Sequence, residues 1–255
     1  MFPIFIPSCG RSNNCVTGRL LSESDIQYTL VVEPQEEEDY RKINQGPDIL
    51  VLPDSRRGIA YVRNFILNMA RSSGIERFWM MDDDINGFYV SDGGKTRKIQ
   101  AKSAIVAAEK LLIGIDRLAI GALEYQQFSW PAKSDLALCS YCDVCVLIDP
   151  AITAPCIYRE ELSMKEDRDF VMQALASGHV SARCRKISFP CPTNGTNFGG
   201  LSEVYARDGE EKAACERMVM AWGSEVCQIQ RKRSGRIDLK INWKSINPLK
   251  SIYYR

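Results

Sequence analysis

The sequence predicts an α/β domain with a mainly parallel sheet flanked by helices. Short apolar runs rich in β-branched and aromatic residues recur along the chain. Segments with the 3.6-residue helical period separate them, the alternation that builds βαβ units. A length of 255 residues is ample for a sizeable buried core.

The elements follow in order. "IFIP" (4–7) is the first strand. Its surroundings, "MFPIFIPSCG", are apolar for only a few residues, lack a basic stretch and contain Pro3 and Pro7. They read as a buried strand and not as a signal peptide. "QYTLVVE" (27–33) is a second strand, and the acidic "QEEEDYRK" after it a solvated helix start. "DILVLP" (48–53) is a third strand. In "SRRGIAYVRNFILNMARSSG", Ile59, Val62, Phe65, Ile66 and Met69 repeat at the helical period, and Gly74 suits the stop. "RFWMM" (77–81) is a short buried strand. "SAIVAAEKLLIGI" (103–115) is a helix with Ser103 as N-cap. "LAIGALEY" (118–125) and the run through "LALCSYCDVCVLI" (136–148) are two more strands.

Beyond these come a helix over "KEDRDFVMQALASG" (165–178), a strand over "SARCRKISF" and a Gly-rich loop over "PTNGTNFGG" (192–200). "GEEKAACERMVMAWG" (209–223) is a helix with acids in its first turn, where the macrodipole favours them. The tail turns as a hairpin at Ser234–Gly235. No internal repeat, low-complexity linker or boundary divides the chain. A single domain over 1–255 is expected, closing with the hairpin and tail from about 224 to 255.

Composition narrows the function. The formal net charge is +1, so any nucleic-acid surface must be a local patch. Candidates are "RKRSGR" (231–236) with Lys240 and Lys244, near Trp243 and Tyr253, and "TRK" (96–98). Runs of this kind suit a DNA backbone, and equally a solvated hairpin face. No stretch is long enough to cross a bilayer. The 10 cysteines read as free thiols in a reducing cytoplasm. Cys139, Cys142 and Cys145 have metal-like spacing, but on one continuous strand Cys142 would face away from the other two. Core cysteines are expected there.

The stretch "RFWMMDDDINGF" (77–88) sets three carboxylates directly after an apolar strand. Adjacent like charges beside apolar residues resist ionisation unless a cation compensates them. In open α/β sheets, ligands bind at the carboxyl ends of strands. Asp82 and Asp84 are two apart and share a side on an extended chain. Two hard oxygen ligands suit Mg²⁺ or Mn²⁺ on a diphosphate. A solvated acidic turn is the other reading.

The ordered set "IFIPSCGR", "VVEP", "GIAYVRN", "WMMDDD", "KEDRDF", "TNFGG" and "DLKINWK" resembles GT-A glycosyltransferases. More narrowly it is similar to the TET/JBP-associated glycosyltransferases, the group of the base J glucosyltransferase. The resemblance runs from Ile4 to about Lys244. It implies a GT-A-like, Rossmann-type mixed sheet flanked by helices, and a UDP-sugar donor, UDP-glucose first. It implies Mn²⁺ or Mg²⁺ as cofactor, and as acceptor a hydroxymethylated pyrimidine in DNA, 5-hydroxymethylcytosine or 5-hydroxymethyluracil. A phage protein in a host cytoplasm, or another cytoplasmic protein, fits this setting, with no membrane partner.

The same resemblance implies roles. Asp82 and Asp84 hold the metal, and Asp83 faces the sugar or the ribose. Arg63 contacts the nucleotide, unless it is a surface arginine on an amphipathic helix. Arg11 lines the uridine pocket. Glu33 and Asp54 stand at the nucleotide rim or cap strand ends. Asp167 is the general base for an inverting transfer, with Glu166 contacting the acceptor or sharing the role. Both acids also suit a helix N-terminus. Asn197, Gly199 and Gly200 approach donor or acceptor, or form a plain connection. Many GT-A enzymes add a metal-binding histidine after the Gly-rich loop. The one histidine here, His179, precedes that loop and reads as a helix-terminus residue.

Three rival readings stay open. One is a GT-A transferase with a protein or saccharide acceptor, another a nucleotidyltransferase, and the third a non-catalytic nucleotide-binding module.

Overall fold

The structure, a computed structural model, describes residues 1–43, 46–92, 94–162, 164–190, 209–233 and 235–247. In chain order it contains β1 (Ile4–Pro7), α1 (Val16–Ser22), β2 (Thr29–Val32), α2 (Glu37–Ile43), β3 (Asp48–Val51), α3 (Ile59–Ser72) and β4 (Phe78–Met81). The hairpin β5 (Phe88–Asp92) and β6 (Lys95–Ile99) follows, then α4 (Ala101–Leu112), β7 (Leu118–Tyr125), α5 (Gln126–Ser129), β8 (Leu136–Leu138) and β9 (Cys145–Ile148). The rest is α6 (Glu166–Ala176), β10 (Val180–Phe189), α7 (Glu210–Trp222), a second hairpin of β11 (Cys227–Arg231) and β12 (Ile237–Ile241), and the turn α8 (Trp243–Ile246).

One sheet dominates, in the order β3-β2-β1-β4-β9-β7-β10-β5-β6, with β8 beside β10. β1 runs parallel to β2 and β4, β2 to β3, and β7 to β10. β9 is antiparallel to both its neighbours, β4 and β7. β5 and β8 pair antiparallel with opposite ends of the long β10. The mixed α/β sheet flanked by helices that the resemblance implies is therefore present, whereas the mainly parallel sheet read from the alternation is not: among the described residues five of its nine strand pairings are antiparallel. The reversal of β9 matters for function. It brings the residues before that strand to the edge where β4 and β7 end, and the Asp82 amide donates to the Val144 carbonyl at 2.8 Å.

Both faces of the sheet are covered, which is why its central strands are apolar without alternation. In β4, Phe78 and Met80 join the core under α3, α6 and α7. Trp79 and Met81 join the core under α1 and α4. Burying each such side chain stabilises by roughly 1.5–3 kcal/mol. Trp79 satisfies its indole N–H on Glu109 of α4 at 3.0 Å. Gly121 of β7 sits where a Cβ would lie 2.7 Å from Leu112, so its missing side chain lets α4 pack close.

Several local expectations need correction. Residues 136–148 are not one strand. β8 and β9 are separated by a loop in which Cys139 (φ 49°) and Val144 (φ 60°) adopt left-handed backbone that ends pairing. Cys139 and Cys142 accordingly share one core and Cys145 lies in the other, whereas the single-strand reading set Cys142 apart. Among the described residues nine cysteines are free, eight of them buried. The helix read from Ser103 begins at Ala101 behind Gln100, with no side-chain cap bond. α1, α5 and the β5–β6 hairpin were not anticipated. The second hairpin forms as expected, with Gly235 at φ 85°, while Ser234 lies outside the described residues. Among the described residues, no helix is long and apolar enough to cross a membrane.

Candidate active site

β4 delivers the acidic triplet to the carboxyl edge of the sheet, and α1 clamps it. Thr17 Oγ1 donates to the Asp82 carbonyl at 2.6 Å and accepts from the Ile85 amide at 2.9 Å. Clamping makes the three acids diverge. Asp83 turns inward, 4% exposed, and accepts from Ser8 Oγ at 2.5 Å and from Arg11. Asp84 lies 3.3 Å from Arg11 Nη1. Asp82 lies 3.2 Å from Arg63 Nη2 and keeps 33% of its side chain open. Burial pushes the Asp82 carboxyl up to about 7. Arg63 opposes this, and Asp84, Asp83 and Asp143 add to it.

Arg63 is no surface arginine. It is buried in α3, stacks over Tyr158, and also donates to Glu166 Oε1 at 2.8 Å. One guanidinium fork thus joins the end of β4 to the start of α6. Glu166 is buried against it; burial raises its carboxyl and Arg63 opposes. Asp167, the next residue, is half-buried and turns the other way. Its Oδ1 accepts from the Arg168 amide at 2.6 Å and its Oδ2 from the Tyr141 hydroxyl at 2.5 Å. A cleft lined by Arg63, Asp82, Cys142, Asp143, Tyr158 and Asp167 brings the metal candidate and the base candidate into one space.

Residues that the sequence did not flag build the far wall. Asp143 accepts from Tyr125 at 2.5 Å and from Arg183 at 3.1 Å, and Arg183 reaches Glu124 at 2.9 Å. Burial raises the Asp143 carboxyl and Arg183 opposes. The guanidinium groups of Arg168 and Arg183 lie 5.2 and 5.3 Å from the Tyr141 ring centroid, and the ring stacks on Trp243 at 5.7 Å. Arg168 also donates to Asp238 of β12 at 2.6 Å, tying the hairpin to the helix that carries Asp167. The one available signal was an acid inside an apolar run, "YCDVC", which a single-strand reading had absorbed.

Other predicted residues stand apart from the cleft. Asp54 is exposed and caps the Ser55 amide at 2.8 Å while pairing with Arg57 at 3.1 Å. Glu33 accepts from the Arg56 amide at 2.7 Å and from Gln35, which holds the turn after β2. His179 precedes β10, at the end of the sheet opposite the cleft, and its amide donates to Ala174 at the close of α6. Asn197, Gly199 and Gly200 lie outside the described residues.

Asp82 and Asp84 are carboxylates of the kind a hard divalent ion takes, each held by a different arginine. The pair offers carboxylate oxygens, a partly open face, and a surplus of acids that two arginines do not fully offset. It supplies two protein ligands, so phosphate oxygens and water would complete the shell. The three-ligand group found among the described residues lies elsewhere, at Cys9, Glu33 and Glu36, with ligand atoms within 4.8 Å of one another. There, burial and Glu36 push the Cys9 thiol up to about 12.

A family model described as TET-Associated Glycosyltransferase matches residues 2–194, a span that includes the acidic triplet and the "KEDRD" segment. The chain belongs to the TET-Associated Glycosyltransferase family. It is a glycosyltransferase, with a nucleotide sugar as donor in general terms. Three solved structures show weaker likeness. The A197 protein from STIV is 14% identical at a TM-score of 0.45, covering 76% of this chain and 87% of its own. A Desulfovibrio desulfuricans protein described as a nucleotide-diphospho-sugar transferase is 9% identical at 0.38, covering 68% and 72%. A mannose-1-phosphate geranyltransferase from Thermus thermophilus is 13% identical at 0.33, covering 86% and 64%. Scores this low carry no weight for function. No curated protein matches the chain significantly.

Proposed function

We propose that this glycosyltransferase moves one sugar from a UDP-sugar, UDP-glucose first, to the hydroxymethyl oxygen of 5-hydroxymethylcytosine or 5-hydroxymethyluracil in DNA. One observation carries the reading: Asp82 and Asp167 line a single cleft, with Arg63 bridging Asp82 to the residue beside Asp167. The acceptor comes from the family resemblance, and the reaction type from the site.

Asp82 and Asp84 would hold Mn²⁺ or Mg²⁺, which when bound neutralises the diphosphate as a leaving group. Arg63 fixes Asp82 and keeps Glu166 buried as its counter-charge. Glu166 is therefore a support for the site, and Asp167 its base. Asp167 takes the hydroxymethyl proton as that oxygen bonds to the anomeric carbon. The bond from that carbon to the diphosphate oxygen breaks, and UDP leaves with the electron pair. Attack opposite the leaving group inverts the centre. Tyr141 and the Arg168 amide hold the Asp167 carboxyl in one orientation. Arg11 and Asp83 shape the loop after β1, on the donor side. The hairpin belongs to the same working domain through Arg168 and Asp238. A cytoplasmic setting suits an enzyme with buried free thiols that needs DNA and a sugar nucleotide together.

The test is UDP release from UDP-glucose with Mn²⁺, comparing a hydroxymethylcytosine oligonucleotide with its unmodified twin. Release that needs the modified base and stops on chelation is expected. Equal release with either DNA would move the acceptor to water or to another class of molecule.

A further inference from the structure

We propose that the outer edge of the sheet beyond β10, formed by β6, α5 and the segment that follows α5, is a docking strip for single-stranded DNA. This rests on the DNA-acceptor reading above and names the face on which that acceptor lies.

Two aromatic rings stand in water there. Phe128 is 56% exposed and Trp130 58%. Such rings offer stacking faces to unpaired bases. Cations surround them. Trp130, Lys133, Arg185 and Lys186 line one shallow depression with Ser91 and Asp92 of β5. Ser91 and Ser129 are joined Oγ to Oγ at 2.6 Å, and Ser129 Oγ reaches the Arg185 carbonyl at 2.6 Å. β6 therefore lies alongside, with Thr96 Oγ1 3.2 Å from Ser91 Oγ, and Lys98 shares that face, while Lys95 and Arg97 belong to the other face of the hairpin. Against the four cations Lys98, Lys133, Arg185 and Lys186 stand Asp92 and Asp135, the latter 3.5 Å from Lys186, with Glu124 beneath Arg185 at 4.0 Å. Among the described residues Lys98 and Lys133 face no acid within ion-pair distance, and phosphate is their complement.

Side-chain contacts through the interior tie the strip to the cleft. Phe128 packs edge-on against Tyr125 at 6.4 Å, and the Tyr125 hydroxyl donates to Asp143, which lines the cleft with Asp167. A paired duplex would hide the base faces. In the C-terminal hairpin, the other basic run, Arg231, Arg233 and Lys240 are exposed and two further cations are paired internally. Lys232 pairs with Asp238 at 2.6 Å and Arg236 with Glu211 at 2.5 Å.

The experiment is fluorescence anisotropy of a labelled single-stranded 12-nucleotide probe and its duplex, for the full chain and the variants Trp130→Ala and Lys133→Glu. UDP-glucose binding with Mn²⁺ is measured in parallel. The single strand is expected to bind more tightly than the duplex. Trp130→Ala should weaken it by roughly 5- to 100-fold, the range for one lost base stack. Lys133→Glu should flatten the log-affinity against log-salt line by about 0.7 for each lost phosphate contact. Both variants should keep wild-type donor binding, which also shows that they are folded. DNA affinity unchanged in both, a preference for duplex, or no DNA binding by a chain that still consumes donor would each overturn the strip. Intact strip binding in a chain that binds no sugar nucleotide would defeat the donor reading and leave the strip standing.

Discussion

Arg63→Met removes the cation that bridges Asp82 and Glu166 while keeping most of the side-chain volume. Arg63 is 9% exposed and Glu166 3%, so water cannot replace the lost partner. Breaking a buried ion pair by deleting one member costs roughly 3–5 kcal/mol, because the other charge stays buried and unpaired. At about 2–4 °C per kcal/mol for a chain of this size, the midpoint should fall by roughly 6–20 °C. Arg63→Lys keeps the charge but cannot bridge two carboxylates with a planar fork, and should fall between. Removing the stranded acid as well, in Arg63→Met/Glu166→Gln, should recover stability, with a coupling of about 1–3 kcal/mol between the sites. The assay is urea unfolding of wild type, the two single variants Arg63→Met and Glu166→Gln, and the double variant at pH 7, read as a double-mutant cycle. A single Arg63→Met variant within about 1 kcal/mol of wild type, or strict additivity, would refute the bridge.

Three further outcomes follow from the site. Asp84→Asn should abolish Mn²⁺-dependent UDP binding in calorimetry while the melting curve stays cooperative; unchanged affinity would sink the metal assignment. Asp167→Asn should retain donor binding and lose transfer by about 10²–10⁴-fold, the usual worth of a general base; full activity would remove Asp167 from the mechanism. At Asp238, burial pulls the carboxyl upward, but Arg168 and Lys232 win and hold it well below its ordinary range. A depressed folded value contributes stability above the unfolded value of about 3.9, and that contribution is lost as pH falls through the folded one. The stability gap between wild type and Asp238→Asn should therefore be widest near pH 7 and shrink between about pH 5 and pH 2; a gap that stays constant would contradict this.

Legibility followed burial. Strands covered on both faces, such as "FWMM" and "LAIGALEY", were readable because a short continuous apolar run between turn signals suits a buried strand and little else. The helix that carries Arg63 was readable by period. The role of Arg63 was not, since periodicity shows which face is apolar and says nothing of what a buried arginine meets from Glu166, 103 residues away. The acidic triplet was legible as a site, but not the divergence of its members, which Thr17 imposes from a helix the sequence did not announce. Asp143 stayed hidden because its loop is made by left-handed backbone at two non-glycine residues, Cys139 and Val144. Propensity assigns neither residue to such a conformation. The edge hairpin β5–β6 was missed because its second strand, "KTRKI", is mostly charged and gives little of the alternation a half-buried strand would show.

The most direct test of the central claim is mass spectrometry of a short DNA carrying 5-hydroxymethylcytosine or 5-hydroxymethyluracil, incubated with the protein, Mn²⁺ and a panel of sugar nucleotides. A gain of one sugar on the modified strand, absent after chelation and absent with Asp167→Asn, is the predicted result. UDP released with no gain on either strand would contradict the DNA acceptor.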